Sequence, residues 1–181
     1  MATRTVTVFG SSLGAPGDVD YDEAVELGRL LAEAGYAVAT GGYDGSMEAV
    51  SSGADAAGGS ITGVTAPEVF PHREMPNRFV QEQIRAASIT ERIHELVDIS
   101  DACIALPGSI GTFTELMAAW NLAYVARFSE TPPDPVVAVG PVWRELVAHL
   151  ENTLGTDASL VTCVDTVQEA VQEIISRIPI S

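Results

Sequence analysis

The sequence predicts an α/β fold: one doubly wound domain over residues 1–181, with a mostly parallel sheet covered by helices on both faces. Three observations carry this reading. Strand-like and helix-like stretches alternate along the whole chain. The strand-like stretches are near-continuous apolar runs, as strands buried on both faces require. Turns rich in glycine follow several of them, where doubly wound sheets place their ligands.

"RTVTVFG" (4–10) is rich in β-branched residues and breaks at Gly10, so it reads as a strand. Residues 20–35 have helical apolar spacing and stop at Gly35. "YAVATGG" (36–42) is a second strand, and 46–59 is a helix of small residues that can pack closely. "SITGVTA" (60–66) is a third strand, followed by a loop over 67–80 with three prolines. The spacing then predicts a helix over 84–100, a fully apolar strand over 102–108 and a helix over 112–127. Loop and strand follow over 132–140, a helix over 142–154 and a short strand over 159–165. Thr166 and Glu169 form a capping-box pattern that opens a last helix over 166–178. No linker or internal repeat divides the chain.

Composition narrows the partners. Nine basic residues, all Arg, face 25 acidic ones, for a net charge of −16. Such a surface repels nucleic acid and anionic lipid. No apolar run is long enough to span a bilayer, and the N-terminus has no long apolar segment with a cleavage signature. Cys103 and Cys163 each lie inside short apolar runs, which reads as reduced, buried thiols and a cytoplasmic setting. The three His are isolated and the two Cys far apart, so no metal site is expected.

Three turns could carry chemistry. "GSSLG" (10–14) has the letters of a serine-hydrolase elbow, but no helix follows it at once and no His follows a late strand. Gly10, Ser11 and Ser12 either offer N–H and hydroxyl donors to a ligand or form a plain connection. "GGYDGSM" (41–47) ends a strand and starts a helix; Gly41, Gly42 and Gly45 permit close backbone approach, either to a ligand or between helix and strand. Without a Lys, neither this turn nor any other is a Walker loop.

The third turn is "LPGSIGTFTEL" (106–116). Pro107 and Gly108 turn the chain, and Ser109, Ile110, Gly111 and Thr112 lead into a helix. First-turn N–H groups have no partners inside a helix, and with the helix dipole they favour an anion. Glu115 lies about one turn in. It is either a carboxylate aimed at a bound molecule or one that complements the dipole at the surface. Arg92 flanks the apolar face of "ITERIHELV", where an Arg stem could equally run along the helix surface.

These stretches, taken in order, resemble a known family. "GGYDGSM" resembles a G-G-x-x-G-x-M element, with Met47 at its end. "ERIHELVDISDACIALPGSIGTFTE" resembles the E-R-K … P-G-G-x-G-T-x-x-E signature of the LONELY GUY (LOG) family, long labelled lysine decarboxylases. The resemblance runs from about Gly63 to Trp120 and more loosely beyond. It implies a Rossmann-like fold, a homodimer, and hydrolysis of the N-glycosidic bond of AMP-like or cytokinin nucleoside 5′-monophosphates, with no cofactor. By position, Arg92 and Glu115 match the catalytic pair, Gly108–Thr112 the phosphate seat, and Glu74 a substrate-contacting Glu. Ser109 replaces the second Gly of P-G-G, Ile93 replaces the Lys, and Asp44 adds a carboxylate to the glycine turn. The superfamily also resembles molybdenum-cofactor carriers, which makes a non-hydrolytic binding protein the alternative. Decarboxylation is excluded, because the pyridoxal Schiff base needs a Lys.

Overall fold

The computed structural model describes residues 3–73, 75–130 and 132–180. Strand β1 (Thr5–Phe9) leads to helix α1 (Val19–Glu33), β2 (Ala37–Thr40), α2 (Ser46–Ala56) and β3 (Ile61–Thr65). Then come β4 (Glu82–Arg85), α3 (Ile89–Asp98), β5 (Ala102–Ala105) and α4 (Ile110–Ala126). The chain closes with β6 (Val136–Val139), α5 (Pro141–Leu154), β7 (Val161–Val164) and α6 (Val167–Arg177).

The seven strands form one sheet in the order β4-β3-β2-β1-β5-β6-β7, and every neighbouring pair is parallel. The chain winds outward from β1 to β4, returns to place β5 beside β1, and winds out the other way. The order therefore reverses between β1 and β5. A crevice opens there beyond the carboxyl ends of the strands, because the two following connections leave to opposite faces.

Each face of the sheet has its own core. Val8, Leu27, Leu31, Val50 and Ile174 belong to the layer of α1, α2 and α6. Phe9, Leu96, Leu116, Trp120 and Trp143 belong to the layer of α3, α4 and α5. The small residues of α2 serve close helix packing: a Cβ at Gly53 would lie 1.9 Å from the Val25 carbonyl oxygen. The capping box at Thr166 and Glu169 is formed on both sides.

The helix expected over 84–100 is corrected. Residues 82–85 are the edge strand β4, and α3 starts only at Ile89, where the Ser88 hydroxyl accepts the Glu91 N–H. An edge strand pairs on one side and is half exposed, so it carries no apolar run to announce it. Gln83 Nε2 instead donates to the Thr65 hydroxyl at 2.8 Å. Helix α4 also begins two residues earlier than expected, at Ile110.

Candidate functional site

The first wall of the crevice is the β5–α4 turn. Ser109 precedes α4 in extended backbone, and its side chain makes no capping bond. The first-turn N–H groups thus lack a side-chain cap and face outward, with Gly108–Gly111 exposed. Thr112 is 2% exposed, and its hydroxyl has no hydrogen-bond partner among the described residues. A buried hydroxyl left without a partner costs about 1–3 kcal/mol. A Cβ at Gly108 would lie 2.1 Å from the Thr112 Oγ1, whereas one at Gly111 would meet only open space. Pro107, Gly108 and Ser109 line a cavity of about 530 Å³ whose other wall carries Ser11 and Ser46.

The second wall is the β2–α2 turn, which is closed on itself. The Ser46 N–H donates to the Ser11 carbonyl at 2.9 Å, so the start of α2 is already engaged. The Asn77 N–H donates to the Gly42 carbonyl at 2.7 Å, tying in the segment after β3. Gly42 and Gly45 have φ of +77° and +68°, the left-handed region that favours glycine. Gly10 passes so close that a Cβ there would lie 2.7 Å from the Ser46 Cβ. The Ser11 hydroxyl accepts the Leu13 N–H, and Ser12 lies beside Gly45.

Arg92 and Glu115 meet beside the crevice, on the side of β2 and β3. Arg92 Nη1 donates to Glu115 Oε1 at 3.1 Å. Nε donates to the Val64 carbonyl at 2.8 Å, and Nη2 to the Gly41 carbonyl at 3.0 Å and the Met47 sulfur at 3.8 Å. The two residues are 8% and 7% exposed. Arg92 is therefore not a surface side chain, and Glu115 is not a surface dipole partner. Burial pushes the Glu115 carboxyl up to about 7, against the pull of Arg92 toward lower values. A carboxyl raised in this way beside a specific charge partner is a candidate for a functional group.

The sequence-predicted residues therefore divide into two groups. Pro107, Gly108, Ser109, Ile110, Gly111 and Thr112 form the uncapped helix start. Gly41 and Met47 stand behind Arg92, and Gly42 and Gly45 shape the turn that carries them. Glu74 lies outside the described residues. Among those described, no group of three or more His, Cys, Asp or Glu is arranged to hold a metal. Among the described residues no helix is long and apolar enough to cross a membrane. Sequence reasoning missed the Val64 carbonyl, since a backbone acceptor leaves no residue-type signal. It also missed Tyr43, which lies within 6 Å of the Arg92 guanidinium carbon but sits at a position the G-G-x-x-G-x-M element leaves open.

The SLOG cluster4 family model matches residues 3–138. The cytokinin riboside 5′-monophosphate phosphoribohydrolase of Mycobacterium tuberculosis is 37% identical over 159 residues, covering 82% of each chain. Among solved structures, the molybdenum cofactor binding protein of Rippkaea orientalis superposes with a TM-score of 0.75 at 26% identity, covering 97% of this chain and 98% of that one. The molybdenum cofactor carrier protein of Chlamydomonas reinhardtii shares the fold at 23% identity and the same TM-score, covering 97% and 98%. With the family model matched over most of its length and a relative this similar across four fifths of it, the chain belongs to the SLOG cluster4 family, the LOG family whose signature its residues resemble.

Proposed function

We propose that this chain is a nucleotide phosphoribohydrolase: it cleaves the N-glycosidic bond of an AMP-like nucleoside 5′-monophosphate, a cytokinin nucleotide included, to free base and ribose 5-phosphate. The observation that carries the reading is the buried Arg92–Glu115 pair, one helical turn from an uncapped helix start with an unpartnered Thr112 hydroxyl. The name of the mycobacterial relative supports it.

The uncapped N–H groups and the Thr112 hydroxyl take the 5′-phosphate, which needs no Lys. Seat and carboxyl share α4, so a bound phosphate indexes the ribose against Glu115. Bond cleavage passes through an oxocarbenium-like transition state. The ionised Glu115 stabilises its positive charge in a site largely closed to water, and orients or deprotonates the attacking water. Arg92 has five N–H donors, of which four meet Val64, Gly41, Met47 and Glu115. The fifth, on Nη1, is left for a ribose hydroxyl.

The 181 residues act as one domain in this reading. Leu122 and Val125 on the outer side of α4 and Phe128 just past its end are 51%, 54% and 76% exposed, and they support a homodimer across that face. The free Cys103 and Cys163 support a cytoplasmic setting. The deciding assay incubates pure protein with AMP and measures adenine and ribose 5-phosphate. Product from the wild type and a rate about a hundredfold to a thousandfold lower in Glu115→Ala is the expected result; no product, or an undiminished variant, overturns the reading. A second reading, a carrier that binds without turnover, is favoured by the likeness to the Rippkaea protein. It requires a ligand recovered intact from the denatured protein.

A further inference from the structure

We propose that Tyr43 is a positioning residue for the Arg92–Glu115 pair: its ring holds the Arg92 guanidinium toward Glu115 and ties it to the segment that follows β3. The proposal rests on the functional reading above only for what the pair does, not for how it is held. Tyr43 is 2% exposed. The Arg92 guanidinium carbon lies 5.7 Å from the ring centroid, within cation–π range. Tyr43 is fixed at several points, on its ring and on its main chain. Its hydroxyl oxygen accepts the Ala66 N–H at 2.8 Å, and its carbonyl accepts Asn77 Nδ2 at 3.0 Å. Phe70 packs edge-on at 5.7 Å, and the Arg73 guanidinium carbon lies 5.6 Å from the same centroid.

Consider what else holds Arg92. Val64 and Gly41 grip the guanidinium through backbone carbonyls at the ends of β3 and β2. Those bonds lie in the guanidinium plane; a ring contact acts on the group as a cation. Removing that contact lets the guanidinium drift from Glu115. The charge that draws the Glu115 carboxyl downward then weakens, so its midpoint rises. Of the neighbouring titratable groups, the Arg73 guanidinium shares the Tyr43 ring from the segment after β3, and the Cys103 thiol on β5, which burial pushes up to about 12, stays neutral. Arg92 is the charge that acts on Glu115.

The test compares Tyr43→Phe with Tyr43→pentafluorophenylalanine, which keeps the ring's shape and reverses its quadrupole. Both lack the hydroxyl, so their difference isolates the ring face. Glutamate δ-13C labelling reads the Glu115 midpoint in ligand-free protein, with the signal assigned by its loss in Glu115→Gln. The expected result is a midpoint in the Phe variant close to that of the wild type, and one about half a unit higher in the fluorinated variant. With AMP, kcat of the fluorinated variant falls about threefold to tenfold relative to the Phe variant, and KM stays within about twofold. Coincident titrations of the two variants overturn the proposal; so does a Phe variant shifted as far as the fluorinated one. A wild type without AMP hydrolysis would refute the functional reading, while the titration would still decide the role of Tyr43.

Discussion

The two glycine turns of this site look alike in sequence and do opposite work. Both follow a parallel strand, both contain glycines, and both start a helix. The β2–α2 turn spends its polar groups on its own protein: Ser46 on Ser11, Gly42 on Asn77, Gly41 on Arg92. In the β5–α4 turn Leu106 is engaged, its N–H by the Phe9 carbonyl and its carbonyl by Trp143 Nε1, but Gly108–Gly111 are exposed and the Thr112 hydroxyl is orphaned among the described residues. One is a brace, and the other is the seat in the proposed reading. A Gly-rich turn at a helix start is therefore no anion site by itself; the distinction lies in whether its donors already have partners.

The strongest way to break this comparison is Gly41→Ala. The new Cβ would lie 1.8 Å from Arg92 Nη2, so the guanidinium must move. We expect turnover of AMP to fall about a hundredfold while nucleotide affinity, measured by calorimetry, changes little. Equal loss of both would mean that the brace also binds phosphate.

Thr112→Val tests the seat. It removes a hydroxyl with no partner, so the free protein should melt at the same temperature or slightly higher. Affinity for AMP or ribose 5-phosphate should fall about tenfold. A destabilised protein with unchanged affinity would show that the hydroxyl has an internal role.

Acidity gives a third, smaller signature. Because the Glu115 carboxyl is raised to about 7, kcat/KM should climb with pH and level off above that value. The same shift acts on stability. Between the ordinary carboxyl range and about 7, the unfolded chain is ionised while the folded site still holds its proton. Folding thus loses stability as pH rises through that window, and the penalty persists above it. Denaturant titrations of Glu115→Gln at pH 5 and pH 8 should show a smaller difference between the two than the wild type does.

The smallest effect is expected for Ser109→Gly. Ser109 is exposed and its side chain caps nothing, so restoring the family glycine should alter AMP affinity no more than about threefold. A large gain would show that the Cβ at 109 obstructs the phosphate.

Much of the molecule was legible beforehand. The alternation of apolar strands and helices, the capping box at Thr166, and the helix start after Gly108 are local patterns, and local chemistry produces them. The edge strand β4 was not legible, because a strand that pairs on one side need not be apolar. Arg92 and Glu115 were legible as candidates, but only the resemblance joined them as a pair. Helical position alone left each with a surface alternative.

The sequence by itself determined the α/β class, the excess of acid over base, the absence of any Lys-dependent chemistry and the order of the signature elements. These depend on residue types and short spacings, which folding does not alter. Tertiary structure decided which turn's donors meet partners, that the Arg92–Glu115 pair is buried, and that the Glu115 carboxyl is raised. Those properties depend on what each group meets across the sheet: the carbonyl of Val64, 28 residues away from Arg92, and that of Gly41, 51 residues away. No local pattern encodes such meetings. They exist only once β2, β3, α3 and α4 are packed together, and with them the low-dielectric surroundings that shift the carboxyl.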